Sequence, residues 1–315
     1  MAFLQHLTTW VPKNRIDLSD NNYGKDFDFI KNKTGFTSKA ISEELYNNKS
    51  LTLALNACKK LIKQTNYDIN KVDVILFVNQ SEKRKLPHLS SLLHRYLNIK
   101  NQKIFTSDIG LGCTGFVQAL QLAKVMIDSN EYENVLVVTS DQYPDYLNKN
   151  DHNTQLIFGE GASASIISKN EIGYKLSKCR NHIDSSNSDA IKFDEEDFIS
   201  MNGRKVLEYV MTSSLRELKQ MIADNNLEFD NRQKCIFIPH QGSKYIIDML
   251  CKKLGINSDG LFCSSEIGNL VSSSLPFAFE EILGINSNKN LILPENVLLA
   301  GFGVGLSTSC ILLEK

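Results

Sequence analysis

"SDIGLGCTGF" (Ser107–Phe116) places one cysteine in a turn of glycines and small residues, just before a helix-like pattern. "SEIGNLVSSS" (Ser265–Ser274) repeats that turn in the second part of the chain, with an asparagine close to the matching place. Two further pairs flank these in the same order. "VDVILFVNQS" (Val72–Ser81) matches "KCIFIPHQGS" (Lys234–Ser243), and "NVLVVTSD" (Asn134–Asp141) matches "NVLLAGFG" (Asn296–Gly303). Both members of the first pair are apolar runs of strand length. Each leads to an amphipathic stretch ending in "LNI" or "LGI", and Ile246, Ile247, Leu250, Cys251 and Leu254 fall at helical spacing. Three ordered pairs predict two related halves meeting near residues 168–175, with strands and helices alternating in an α/β architecture.

The intervening segments refine this expectation. "SLTLALNACKKLIKQT" (Ser50–Thr65) reads as a helix capped by Ser50. "QLIFGEGASASIISK" (Gln155–Lys169) reads as a strand, a glycine-rich turn and a strand. Residues 180–200, rich in Ser, Asp and Asn, read as a long loop. "GRKVLEYVMTSSLRELKQMIADNNL" (Gly203–Leu227) reads as one long helix.

Composition narrows the function. The 315 residues are 42% hydrophobic and 23% charged, with a net charge of -1. That balance gives no general electrostatic case for nucleic acid or an anionic membrane. No apolar run approaches the ~20 residues of a membrane span. The start, "MAFLQHLTTWVPKNR", lacks the layout of a signal peptide. Seven scattered cysteines without a CxxC argue against a disulfide framework or zinc site, and fit a reducing cytoplasm. The six histidines show no metal-binding spacing, so no metal is expected.

Cys113 alone admits inert packing, metal ligation, a disulfide or nucleophilic chemistry. Thioester exchange needs a thiolate, and a helix N-terminus favours one. Phe116, Ala119, Leu120, Ala123 and Ile127 form the helical stripe that follows, and Gly110, Gly112 and Gly115 permit a tight turn with close approach of a substrate. His240 ends an apolar strand, and Asn269 lies just past the second "EIG". In a pseudo-symmetric fold such equivalent loops converge.

"DIGLGCTGFVQALQLAKVMI", "LIFGEGASASII", "IPHQGSKYIIDMLCKKLGI", "EIGNLVSSSLPFAFEEIL" and "NVLLAGFGVGLS" together resemble the successive motifs of the β-ketoacyl-ACP synthase III family, in the thiolase superfamily. "KNKTGFTSKAIS" (Lys31–Ser42) resembles that family's early arginine/threonine–glycine segment. The resemblance implies a duplicated thiolase-like α/β/α/β/α five-layered sandwich, usually a homodimer. The halves would be residues 1–170, carrying the cysteine, and 171–315, carrying the histidine and asparagine. It implies an acyltransferase that takes an acyl group from acyl-CoA or acyl-ACP onto Cys113. That group then undergoes decarboxylative condensation with malonyl-ACP, serving fatty acid or specialised biosynthesis, with no cofactor beyond the CoA and carrier-protein thioesters. His240 and Asn269 would bind the malonyl thioester oxygen as charge develops on it. The backbone N–H groups of Cys113 and Val304 would form the oxyanion hole for acyl transfer.

Several positions depart from the family pattern. Phe29 stands where a tryptophan often stacks on adenine. Lys33 and His152 replace arginines, and "HQAN" reads "HQGS". Val304 stands where glycine is common, which narrows the site. Tyr245 replaces a carrier-contacting arginine and Glu208 a lysine. Lys244, Lys252 and Lys253 keep positive charge near the expected entrance for CoA or an acidic carrier. Leu86 replaces an aromatic that reaches across the dimer into the acyl pocket. These changes put the donor in question and leave a non-condensing acyltransferase as the alternative. A papain-like hydrolase lacks its "CGSCW"-type flank here and leaves the duplication unexplained. An intact Cys–His–Asn set argues against a silent scaffold.

Overall fold

The computed structural model describes residues 1–19, 27–42, 48–83, 86–285 and 292–315; the side chains of Phe29, Ile30, His152 and Asn153 lie outside the described residues. The first half contains strands β1 (Phe3–Trp10), β2 (Arg15–Asp17) and β3 (Ser38–Ala40), then β4 (Val74–Val78), β5 (Phe105–Ile109), β6 (Asn134–Asp141) and β7 (Gly161–Ser168). Its helices are α1 (Phe27–Thr34), α2 (Lys49–Thr65), α3 (Leu89–Tyr96), α4 (Gly115–Asp128) and the single turn α5 (His152–Gln155). The second half contains β8 (Tyr174–Ile183), β9 (Ile191–Phe193), β10 (Ile199–Met201), β11 (Cys235–Pro239), β12 (Asn296–Gly303) and β13 (Ser307–Glu314). Its helices are α6 (Gly203–Tyr209), α7 (Leu215–Asp224), α8 (Lys244–Leu254) and α9 (Ser274–Leu283).

Sheet order makes the duplication explicit. Among the described residues the first half runs β5-β4-β6-β7-β1 and the second β11-β12-β13-β8. In both, two parallel central strands are followed by two antiparallel ones. Among the described residues, the second half lacks only the partner of β5. Its matching residues form a turn, along which Thr37 and Ala40 donate N–H groups to the carbonyls of Ser265 and Ile267, at 2.7 and 3.0 Å. A short β1–β8 pairing joins the halves at Phe3–Lys175 and Leu4–Tyr174. The expected boundary at 170/171 falls in the turn between β7 and β8.

Burial on both faces explains the unbroken apolar strands. In β4, Val74, Leu76 and Val78 enter the central core, while Ile75 and Phe77 enter the outer core under α2 and α3. Strand β6 splits likewise, with Val135 and Val137 on one side and Leu136 and Val138 on the other. Helix α4 is the shared middle layer. It touches β4, β6 and β7 of the first half and β8, β12 and β13 of the second, and its stripe Phe116, Ala119, Leu120, Ala123 and Ile127 is fully buried.

Three sequence expectations are corrected and one is refined. Asn48, not Ser50, caps α2, its side chain accepting from the Leu51 N–H; buried Ser50 instead meets Gln142. The run before Gly161 makes only a single bridge, Phe158 to Asn269, rather than a strand. Residues 180–200 are ordered, comprising the end of β8, a 3-10 segment and the β9–β10 hairpin. The expected long helix is present over 203–224, with a π-helical turn at Val210–Ser214 joining α6 to α7.

Candidate active site

The end of β5 turns sharply at Gly110–Thr114 and delivers Cys113 two residues before α4. Cys113 is 8% exposed. Strand β12 of the other half presses against it. A Cβ on Gly303 would lie 2.7 Å from Cys113 Cβ and 2.9 Å from its Sγ, so only glycine fits there. Burial and the nearby Asp141 carboxylate push the Cys113 thiol up to about 12. Its own backbone N–H and the N-terminus of α4 oppose that shift. The resting group is therefore a thiol that must lose its proton to react.

Asp141, at the end of β6, is a buried carboxylate that sequence reasoning missed. Burial pushes it up to about 6, yet it accepts bonds from the N–H and hydroxyl groups of Ser81 and Ser272 and from the Gln80 N–H. Such a set holds the ionised form at neutral pH. It ties the first half to the loop carrying Asn269 in the second. The signal lay in "TSD", a charge closing an otherwise apolar strand.

His240 follows β11 and is fixed by its N–H to the Ala300 carbonyl, 2.8 Å away on β12. Its ring stands edge-on to Phe302, with centroids 5.7 Å apart. Burial lowers it to about 3, so the imidazole is neutral. Nδ1 is buried without a partner among the described residues. Asn269 is anchored by its N–H to the Ile157 carbonyl at 2.8 Å. Its Oδ1 accepts from the Val271 N–H at 2.9 Å and the Ser274 hydroxyl at 2.8 Å. Both partners are donors, so Oδ1 is engaged and the Nδ2 donors face the site. Val271 adopts φ +55, a strained conformation for a β-branched residue. Strain of this kind, of order 1–3 kcal/mol, gathers at functional sites; here it aims an N–H at Asn269.

The three residues share one cavity of about 970 Å³. His240 Nε2 and Asn269 Nδ2 lie 3.5 and 3.9 Å from a single point, the place of a Cβ on Gly242. Tyr143 and Phe158, with ring centroids 4.9 Å apart, close the inner end, and the Tyr143 hydroxyl is held by Gln80 Oε1 at 2.6 Å. Val304 lines the same cavity, beside Gly303. Exposed Lys33, Arg204 and Tyr245 rim the mouth, with Lys205, paired to Asp189 at 3.3 Å, beside them.

The other expected entrance residues are not among the described residues lining the cavity. Lys244 is paired with Asp248 and does not line the cavity. Lys252 and Lys253 sit in the last turn of α8, about 12 Å further along an axis that starts beside the site. Leu86 is 79% exposed and does not line its own chain's cavity, because the loop before α3 projects it outward. The side chains of Phe29 and His152 fall outside the described residues. Sequence reasoning missed Arg204 and Lys205, whose polar stretch read only as a helix start.

A duplicated sandwich whose cavity is lined by a buried cysteine, a neutral imidazole and an asparagine amide fits the thiolase-fold class of acyl-transferring condensing enzymes. Residues 107–184 match the family model for 3-oxoacyl-[acyl-carrier-protein] synthase III, and residues 226–315 match the model for its C-terminal part. A β-ketoacyl-[acyl-carrier-protein] synthase III of Clostridium perfringens is 28% identical, covering 97% of this chain and 96% of the relative. One from Aquifex aeolicus is 25% identical, over 98% and 94%. The fold matches the crystal structure of 3-oxoacyl-[acyl-carrier-protein] synthase III from Aquifex aeolicus, with TM-score 0.89, 23% identity and full coverage of both chains. It also matches the priming β-ketosynthase of the R1128 polyketide pathway, with TM-score 0.86, 19% identity and coverage of 99% and 96%. The chain belongs to the β-ketoacyl-ACP synthase III family of the thiolase superfamily.

Proposed function

We propose that this chain takes an acyl group from acyl-CoA or acyl-ACP onto Cys113 and condenses it with malonyl-ACP to give 3-oxoacyl-ACP. The Cys113 sulfur attacks the donor carbonyl, its proton leaves with the displaced thiol, and the Cys113 and Val304 N–H groups hold the oxyanion. Malonyl-ACP then loses CO2, and the electron pair passes to the thioester oxygen as an enolate. The enolate carbon attacks the acyl carbonyl, the C–S bond to Cys113 breaks, and the thiolate regains a proton. No cofactor beyond the thioesters is called for.

The orientation of Asn269 carries this reading. Donors on its Oδ1 leave Nδ2 free to donate, 3.9 Å from a point that lies 3.5 Å from His240 Nε2. Two neutral donors at one point suit a developing enolate, not proton removal from a nucleophile. The relatives' names support the same chemistry. Lys33, Arg204 and Lys205 at the mouth suit a phosphopantetheine arm on an acyl carrier protein.

We further propose a cytoplasmic homodimer in which the halves 1–170 and 171–315 jointly frame the site. Strand β5 is the sheet edge, with Phe105 45% exposed, and Val125 of α4 is 66% exposed. A second copy across that edge covers these groups and gives exposed Leu86 a place in the partner's acyl pocket. Intact-mass analysis after exposure to acyl-CoAs and acyl-ACPs tests the first step. One acyl adduct is expected, absent in Cys113→Ala; an adduct that persists in that variant removes Cys113 from the mechanism.

A further inference from the structure

Val271 forms the turn that orients Asn269, and a β-branched residue does not hold a φ of +55 unaided. Two bonds hold it. Its own N–H goes to Asn269 Oδ1 at 2.9 Å, and the N–H of the next residue, Ser272, goes to Asp141 Oδ2 at 3.2 Å. Among the N–H groups of Leu270–Ser273, that of Ser272 alone leaves the segment. Leu270 donates to Ser274 Oγ, Val271 to Asn269, and Ser273 to the Leu270 carbonyl. One group of the other half, the Asp141 carboxylate, therefore fixes the peptide that follows Val271.

The bonding of Asp141 suits that task. Its Oδ2 also accepts the Ser272 hydroxyl. Its Oδ1 accepts the Gln80 N–H at 3.0 Å, and the N–H and hydroxyl of Ser81 at 3.2 and 3.0 Å. Donors of the first half thus hold the carboxylate that grips the second. Asp141, Ser81, Val271 and Ser272 are each at most 1% exposed, so water does not take over these bonds. A carboxylate accepts on both sides, whereas an amide accepts on one side and donates on the other. Asparagine at this position would turn an NH2 toward one of the two sets of donors. Ser273 is also tied to the first half, at the Thr139 hydroxyl and the Gly161 carbonyl, 2.7 and 3.2 Å away. Those bonds use its hydroxyl and leave the backbone of the turn to Asp141.

We propose that Asp141 is a positioning residue for the decarboxylation half of the reaction. By fixing the peptide after Val271 it keeps the Val271 N–H on Asn269 Oδ1, and so keeps the Asn269 amide in its donating orientation. The proposal rests on the condensing reaction above and gives Asp141 no contact with substrate. It separates the two half-reactions. Decarboxylation depends on the Asp141 bonds, whereas acylation needs a Cys113 thiolate, which the Asp141 charge disfavours.

Full-length wild type, Asp141→Asn, Ser272→Ala, Asn269→Ala and the Asp141→Asn/Asn269→Ala double variant are compared. Each is acylated from acyl-CoA, followed by intact mass, and then given carboxyl-labelled malonyl-ACP, with CO2 release measured separately. Asp141→Asn is expected to lower CO2 release by about tenfold or more while acylating at no less than about a third of the wild-type rate. Ser272→Ala removes one donor and keeps the charge, and should lower CO2 release by about two- to fivefold. The double variant should release CO2 within about twofold of Asn269→Ala, because Asp141 acts through Asn269. Equal losses of acylation and CO2 release in Asp141→Asn, multiplying losses in the double variant, or undiminished release in Asp141→Asn each overturn the inference. If Asp141→Asn does not fold, undiminished release in Ser272→Ala overturns it. Release by wild type that no Asp141 or Ser272 change alters refutes only this role, whereas none from wild type refutes the condensing reaction as well.

Discussion

Cys113 carries a tension between reactivity and burial. A thiol raised to about 12 is mostly protonated at neutral pH, and its thiolate fraction rises about tenfold per pH unit below that value. Sub-saturating acylation of Cys113 should therefore climb about tenfold per unit from pH 6.5 to 8.5; a plateau beginning near pH 7 would show the α4 N-terminus outweighing burial. His240 behaves oppositely. Its folded value is lowered to about 3 against about 6.5 in the unfolded chain. The stability it contributes is complete above pH 6.5 and is lost as pH falls toward 3, at about 1.4 kcal/mol per pH unit. Urea unfolding should show a smaller loss between pH 6.5 and 5 in His240→Gln. An equal loss in both proteins would mean the ring is protonated in the fold. That Cys113, His240 and Asn269 come to one cavity was legible because Cys113 and Asn269 follow repeated turns and His240 ends a repeated strand. Tyr143 was not, because a cavity-closing ring reveals its role only through contacts distant in sequence, and Asp141 showed only as a charge closing an apolar strand.

At the scale of elements, strand β12 is the second wall around Cys113. It is hydrogen-bonded to β11 on one side and β13 on the other, so it has no freedom to retreat. Gly303→Ala should displace the Cys113 side chain, reduce acylation at least a hundredfold, and lower stability by about 1–3 kcal/mol through overpacking. Near wild-type acylation of that variant, measured by intact mass, would show that Cys113 swings clear. Apolar runs with both faces buried were readable as strands, as in β4, β6, β11 and β12. Gln155–Glu160 has the same apolar look but is spent closing the cavity and anchoring Asn269 by one bridge. The β9–β10 hairpin was hidden by its short strands and the acidic loop between them; exposed Lys192 and Phe193 pair with Ser200 and buried Ile199 away from the main sheet.

For the whole molecule, duplication is what brings the chemistry together. The first half presents the sulfur, the second both donors, and the Asp141 cluster bonds across the seam. The shared strand order was legible as three ordered sequence pairs. The missing partner of β5 was not, because "SSEIG" keeps the motif while its backbone instead accepts the N–H groups of Thr37 and Ala40. With β5 at the sheet edge, sedimentation should give twice the chain mass, and Phe105→Asp should shift it toward the monomer. A wild-type monomer at micromolar concentration would remove Leu86 from any acyl pocket.

The most direct measurement is CO2 release from carboxyl-labelled malonyl-ACP by protein already acylated on Cys113. Release should match 3-oxoacyl-ACP formed, and fall about 10²–10³-fold in Asn269→Ala and in His240→Ala while Cys113 still takes its acyl group. Acyl transfer to an oxygen or nitrogen acceptor without CO2, or undiminished release in both variants, would contradict a condensation driven by that pair of donors.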